Sequence, residues 1–180
     1  MNTGKRVFSS ALLFDGKGGA RELSHEEVAS WTAADGLLWV DFDQGSKKAK
    51  EWLVRDSGID RNVASMLMEG ETRPRSLAEA EGLVVIMRGI NMHPGAVPDD
   101  MVAVRIWLEE NRIVTARRRK VLSVNDVRES LLAGKGPKTV GQFLVSITGR
   151  LTERIAAAVA NIEQLLEDLD AALTEGDVDA

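Results

Sequence analysis

Cysteine is absent from this chain of 180 residues. That excludes disulfides, thiolate metal sites and a cysteine nucleophile. Histidine is nearly absent: His25 and His93 are the only two, too few for a histidine-rich zinc site within one chain. No leader of basic then apolar residues opens the sequence. The apolar run Leu83 to Met87 is far too short to span a bilayer, so the chain as given is expected to be soluble. No serine, histidine and acid set suggests nucleophilic catalysis, and the expectation is no enzyme and no cofactor. Gly16-Lys17-Gly18-Gly19 lacks the GxxxxGK(S/T) pattern of a phosphate loop and precedes no helix start. Internal repeats and low-complexity stretches are also lacking.

What is present is ordinary for a folded domain with an appendage. Hydrophobic residues make up 44% and charged residues 28%, enough for one sizeable core. The net charge of -5 argues against general affinity for nucleic acid. That charge is unevenly spread. From Thr139 to Ala180 eight acids (Glu153, Glu163, Glu167, Asp168, Asp170, Glu175, Asp177, Asp179) face two bases (Arg150, Arg154), a balance of -6, which leaves +1 for the remainder.

Local patterns give an order of elements. Val7 to Phe14 is β-rich and bounded by Asp15-Gly16 and Gly18-Gly19, so it predicts a strand and turn. Ser24 and Glu27 have capping-box spacing, which starts a short helix to about Trp31. Gly36 to Asp43 is a largely apolar strand and therefore central. Ser46 and Asp60 cap two further helices, the second with Val63, Met66 and Leu67 inward. Arg73-Pro74-Arg75 breaks the pattern. Three strands follow, over Gly82 to Ile90, Met101 to Glu109 and Arg112 to Arg117. A loop holding His93-Pro94-Gly95 and Pro98-Asp99-Asp100 joins the first two, and a tight hairpin at Glu110-Asn111 joins the others. A helix from Ser123 to Leu132 ends at Gly134-Lys135-Gly136-Pro137. Helix-separated strands early and adjacent strands later imply a mixed α/β sheet layered with helices.

From Thr139 to about Thr174 no proline interrupts the chain. Leu144, Ile147, Leu151, Ile155, Ala158, Ile162, Leu165, Leu169 and Leu173 recur at steps of three and four, one stripe on a helix. A helix of roughly 35 residues is about 50 Å long, more than a domain of this size can cover. The expectation is two parts, a sheet domain over 1–137 and a long amphipathic acidic helix over 138–180. The stripe then packs on other helices, in the first place copies of itself.

Several constellations admit a functional and a structural reading. Arg117-Arg118-Arg119-Lys120 is a basic cluster without interleaved aromatics, better read as a strand end and turn than as a nucleic-acid patch. Asp41 and Asp43 share one strand face; a pair of acids can do acid–base work or hold a hard cation, but acids at strand ends more often cap the following helix or meet an arginine. His25 reads as an exposed first-turn residue, and His93 as a loop residue. Glu163, Glu167 and Asp170 follow i, i+4, i+7 spacing. They form a solvated surface in one chain, and in parallel copies a negative wall that concentrates cations.

Three stretches carry a resemblance: Glu69-Gly70-Glu71-Thr72-Arg73-Pro74-Arg75 leading into Gly82 to Asn91, Asp100 to Ile106, and Arg112 to Leu122 running on through Asn125-Asp126-Val127 to Gly134-Lys135-Gly136-Pro137. Over roughly residues 37 to 175 the sequence resembles the N-terminal cytoplasmic domain of CorA-type divalent-metal transporters, in the zinc-transporter (ZntB-like) branch. The resemblance implies an α/β/α domain, a long helix running toward a membrane region, and a pentamer forming a funnel at the cytoplasmic face of the inner membrane. It implies a transported zinc or other divalent cation, self-association and a membrane as partners, and no nucleic acid. The family's two C-terminal transmembrane helices and the glycine–asparagine loop between them do not occur in these residues, so the expectation is a part of a larger protein. On this reading Glu163, Glu167 and Asp170 are candidate metal-facing residues that need neighbouring subunits. Arg73, Arg75, Arg88, Arg105 and Arg117 are candidates for anion binding or subunit contact. The alternative is a stand-alone soluble oligomeric scaffold or regulatory module without a transport role.

Overall fold

A computed structural model describes residues 7–70, 73–79, 81–91 and 101–176. Among the described residues seven strands form one sheet in the order β2-β1-β3-β7-β6-β5-β4. These are β1 (Ser10–Phe14), β2 (Ala20–Glu22), β3 (Leu38–Asp43), β4 (Arg75–Glu79), β5 (Gly82–Ile90), β6 (Met101–Leu108) and β7 (Arg112–Arg117). The helices are α1 (His25–Ser30), α2 (Lys47–Arg55), α3 (Arg61–Met68), α4 (Leu122–Leu132) and α5 (Val140–Gly176). Only β3 and β7 run parallel; the other neighbours are antiparallel. The mixed sheet expected from the sequence is therefore observed, and the apolar β3 lies inside it.

Two sequence expectations need extension. Ala20–Glu22 and Arg75–Glu79 are strands, whereas the sequence reading left the first undescribed and took the start of the second as a break. Both are sheet edges and largely exposed. An edge strand with one solvated face has little apolar alternation to betray it. The loop motifs around His93 and Pro98 lie outside the described residues.

Side-chain alternation sorts the core into two layers. Val40, Phe42, Val84, Ile86, Trp107, Val114 and Ala116 face Val28, Trp52, Leu53, Val63 and Leu67 of α1 to α3. Trp39, Val104, Ile106 and Ile113 face Val124, Val127 and Leu131 of α4 and Phe143, Ile147 and Leu151 of α5. The result is α/β/α. Helix starts follow their caps. Ser24 and Glu27 form the expected reciprocal box, the Ser46 hydroxyl accepts the Ala49 N–H at 3.2 Å, and Asp60 accepts from Asn62 at 2.7 Å.

The glycine-rich stretch after β1 is a hairpin turn. Asp15 accepts the N–H groups of Lys17 at 2.7 Å and Gly19 at 2.9 Å. Gly18, at φ 111°, sits against the Gly134 and Gly136 carbonyls, and the Gly136 N–H donates to its carbonyl at 2.7 Å. A side chain at Gly18 would meet backbone, so this contact ties the β1–β2 hairpin to the loop that launches α5.

Candidate functional site

Three groups of polar residues stand out: a buried acid–arginine network, an arginine array, and the far half of α5.

The network lies on the α4–α5 face. Arg117 clasps Asp41 with Nη2 at 2.7 Å and Nε at 3.1 Å from each carboxylate oxygen. The Thr115 hydroxyl donates to Asp41 at 2.8 Å and accepts from the buried Trp39 indole at 3.0 Å. Trp39 in turn packs edge-on against Phe143 of α5, with centroids 4.8 Å apart. Burial pushes the Asp41 carboxyl above its ordinary range, while Arg117 and Thr115 pull it back. Asp43 is exposed and accepts the Gly45 N–H at 2.8 Å. Asp41 thus meets an arginine as expected, whereas Asp43 shapes the turn before α2 and the cap of that helix is Ser46. Arg117 is thus committed within its own chain, on the face opposite Arg105.

Three of the other arginine candidates converge. Arg75 pairs in register with Ile86, Ile86 with Arg105, and Arg105 with Ala116. Register neighbours share a face, and here it is the α1–α3 face, because Ile86 and Ala116 belong to that core. Arg88 follows Ile86 by two residues within β5, so strand parity places it on the same side. Arg105 is 3% exposed. Its guanidinium donates to the Gly70 carbonyl and, at 3.4 Å, to the Gln44 side chain. Arg75 pairs with Glu69 at 2.6 Å on an exposed surface. Arg73 is exposed. Arg118, read from the sequence as part of the basic cluster over 117–120, lies one residue past the end of β7 and is near enough to Arg105 to repel it.

The acid row is a different environment. Glu163, Glu167 and Asp170 are all exposed on α5. The first turns of this helix are docked through Phe143, Ile147 and Leu151. Beyond Ala158 the apolar residues of this helix are left uncovered by the described residues: Leu165 stands exposed, as do Val159, Ile162, Leu166, Leu169 and Leu173. The latter five, at steps of three, four, three and four, make a heptad seam, and Glu163 and Asp170 each flank it by one position. Within one chain the three acids do not converge: among the described residues no group of three or more His, Cys, Asp or Glu could hold a metal ion. No helix among them is long and apolar enough to cross a membrane. His25 stacks beside Phe8, with centroids 5.5 Å apart, and His93 lies outside the described residues.

Comparison with known proteins gives a consistent set of relatives. The family described as CorA-like Mg2+ transporter protein matches residues 34–179. Divalent cation transporter CmaX of Pseudomonas aeruginosa is 34% identical over 160 residues, covering 88% of this chain and 48% of the relative. A solved structure of full-length CmaX superposes with a TM-score of 0.87 at 32% identity, over 93% of this chain and 52% of that one. Zinc transport protein ZntB of Pectobacterium atrosepticum is 30% identical over 165 residues, 92% of this chain and 50% of the relative. The crystal structure of the ZntB cytoplasmic domain from Vibrio parahaemolyticus shares the fold, with a TM-score of 0.76 at 23% identity over 89% of this chain and 64% of that one. The chain spans about half the length of the curated relatives it matches.

Proposed function

We propose, for a chain that belongs to the family of CorA-like Mg2+ transporter proteins, that it is the cytoplasmic domain of a membrane transporter for zinc or another divalent cation. The observation that carries this is the family match over residues 34–179, with relatives named for divalent cation and zinc transport. On this reading a membrane region continues the protein, five copies assemble at the cytoplasmic face of the inner membrane, and the domain gathers or senses ions without catalysing a reaction.

The free half of α5 supports the assembly part. A heptad seam of exposed Val, Ile and Leu is the pattern of helices that pack side by side. Glu163 and Asp170 then border that contact. Copies of the row brought together focus a negative potential that raises the local cation concentration.

The test is zinc uptake by cells in which the native gene is deleted and then restored. Uptake of zinc or another divalent cation that falls on deletion and returns on restoration supports the reading. Unchanged uptake of every divalent cation tried contradicts it.

A further inference from the structure

We propose that the α1–α3 face carries a binding site for a phosphate-bearing anion, built by Arg75, Arg88, Arg105 and Arg118. This goes beyond the transport reading and stands or falls without it.

The register makes the array. Arg75 and Arg105 sit on either side of Ile86, one strand away each, which sets their backbones roughly 10 Å apart. Arg88 lies two residues along β5 from Ile86 and is the register partner of Ala103. Ala103 follows the same parity as Arg105, and Arg118, one residue past the end of β7, lies near enough to Arg105 to repel it. Within the sheet, arginine therefore alternates with Ile86 and Ala103, so an uncharged side chain separates neighbouring cations. The array continues the apolar layer under α2 and α3 just where α3 ends, at Met68.

The central cation, Arg105, is fixed in place. The Gly70 carbonyl and Gln44 hold the Arg105 guanidinium, and Gln44 is itself tied to the Leu67 carbonyl at 2.5 Å. The Nε atoms of Arg105 and Arg88 are both sequestered from water with no hydrogen-bond partner. A buried, unsatisfied charged donor is costly. Glu69 is the acid that faces the array among the described residues, and Arg75 already engages it. Burial holds Arg105 below its ordinary value, Glu69 opposes that, and Arg118, Arg88 and Arg75 add to it by repulsion. A cluster of like charges held this way is stabilised by an anion of more than one charge.

Guanidinium chemistry selects the class. Its planar fork matches the oxygens of phosphate two at a time. Cations drawn from β4, β5, β6 and the residue that follows β7 suit two linked phosphate groups better than one halide. Such groups occur on a soluble diphosphate and, singly, on an anionic lipid headgroup.

Inorganic pyrophosphate titrated calorimetrically into the chain at constant ionic strength is the first arm. Flotation with phosphatidylcholine vesicles, with and without phosphatidylglycerol, is the second. The variant is Arg88→Gln with Arg118→Gln, which spares the buried Arg105. The control, Lys47→Gln with Arg55→Gln on the exposed surface of α2, removes the same charge elsewhere. Saturable pyrophosphate binding that weakens at least tenfold in the variant and little in the control supports a soluble ligand. Flotation on phosphatidylglycerol alone, lost in the variant, supports a lipid headgroup. Circular dichroism of both proteins separates lost binding from lost folding. Absence of both binding events, or equal loss in variant and control, overturns the proposal. A variant whose only change is a lower solution mass reassigns the array to a contact between copies and also overturns it.

Discussion

At the scale of single residues, environment decides which charges matter. Asp41 and Arg117 form a buried bidentate pair, with Thr115 and Trp39 completing the network. Removing one partner leaves the other charge poorly solvated, which costs roughly 3–5 kcal/mol. Asp41→Ala is therefore expected to lose about that much stability in urea titrations. Arg75→Ala, which breaks an exposed pair, is expected to lose less than about 1 kcal/mol. The cap of α1 gives a pH signature. The Ser24 N–H holds the Glu27 carboxyl below its ordinary value, with Arg21 as a further cause. A lowered acid contributes stability that is full above its unfolded value, near 4.3, and is lost as pH falls through the folded one. The melting temperature of Glu27→Gln should lie below that of the parent at pH 7, and the gap should close as pH falls well below 4. A gap constant with pH would contradict this account of the cap. Both features were readable in part. Ser24 and Glu27 announce themselves by spacing alone. Asp41 was recognisable as an acid at a strand end, but its partner is 76 positions away in sequence, and only the parallel register of β3 on β7 brings them together.

At the scale of elements, α5 is two helices in one. Its first half is part of the core and its second half is not. Phe143→Ala removes a fully buried aromatic side chain and is expected to cost about 3–5 kcal/mol. Leu166→Asp with Leu169→Asp alters side chains about 60% exposed, so unfolding of the isolated chain should barely change. The same double variant places charge in the heptad seam, so any concentration-dependent mass seen by light scattering should disappear. Seam substitutions that unfold the sheet domain would show that the free half is not free. The stripe was legible from its period, as were the caps of α1, α2 and α3. The edge strands β2 and β4 were not, because Ala-Arg-Glu and Arg-Ser-Leu-Ala-Glu carry little alternation when one side faces water. The arginines illustrate the same limit. Composition groups Arg117 with Arg73, Arg75, Arg88 and Arg105, but alternation along β7 sends Arg117 to the face opposite Arg105.

At the scale of the whole molecule, charge is partitioned in space. The sheet domain carries an arginine array on one face, and the long helix carries an acid row beyond the other. The layered α/β fold was foreseeable from the order of elements and from the resemblance. The acid row expected from its spacing is exposed on α5, and within one chain its three carboxylates do not converge on a site. If copies of that row form a wall that concentrates cations for transport, its effect acts through solvent and must weaken with salt. The screening length falls from about 30 Å at 0.01 M to about 10 Å at 0.1 M. Zinc uptake by the native protein carrying Glu163→Gln, Glu167→Gln and Asp170→Asn, followed at low and high ionic strength, is the most direct test. The account predicts uptake several-fold below the parent at low salt, with the difference shrinking as salt rises. Equal uptake by variant and parent at both ionic strengths would contradict it.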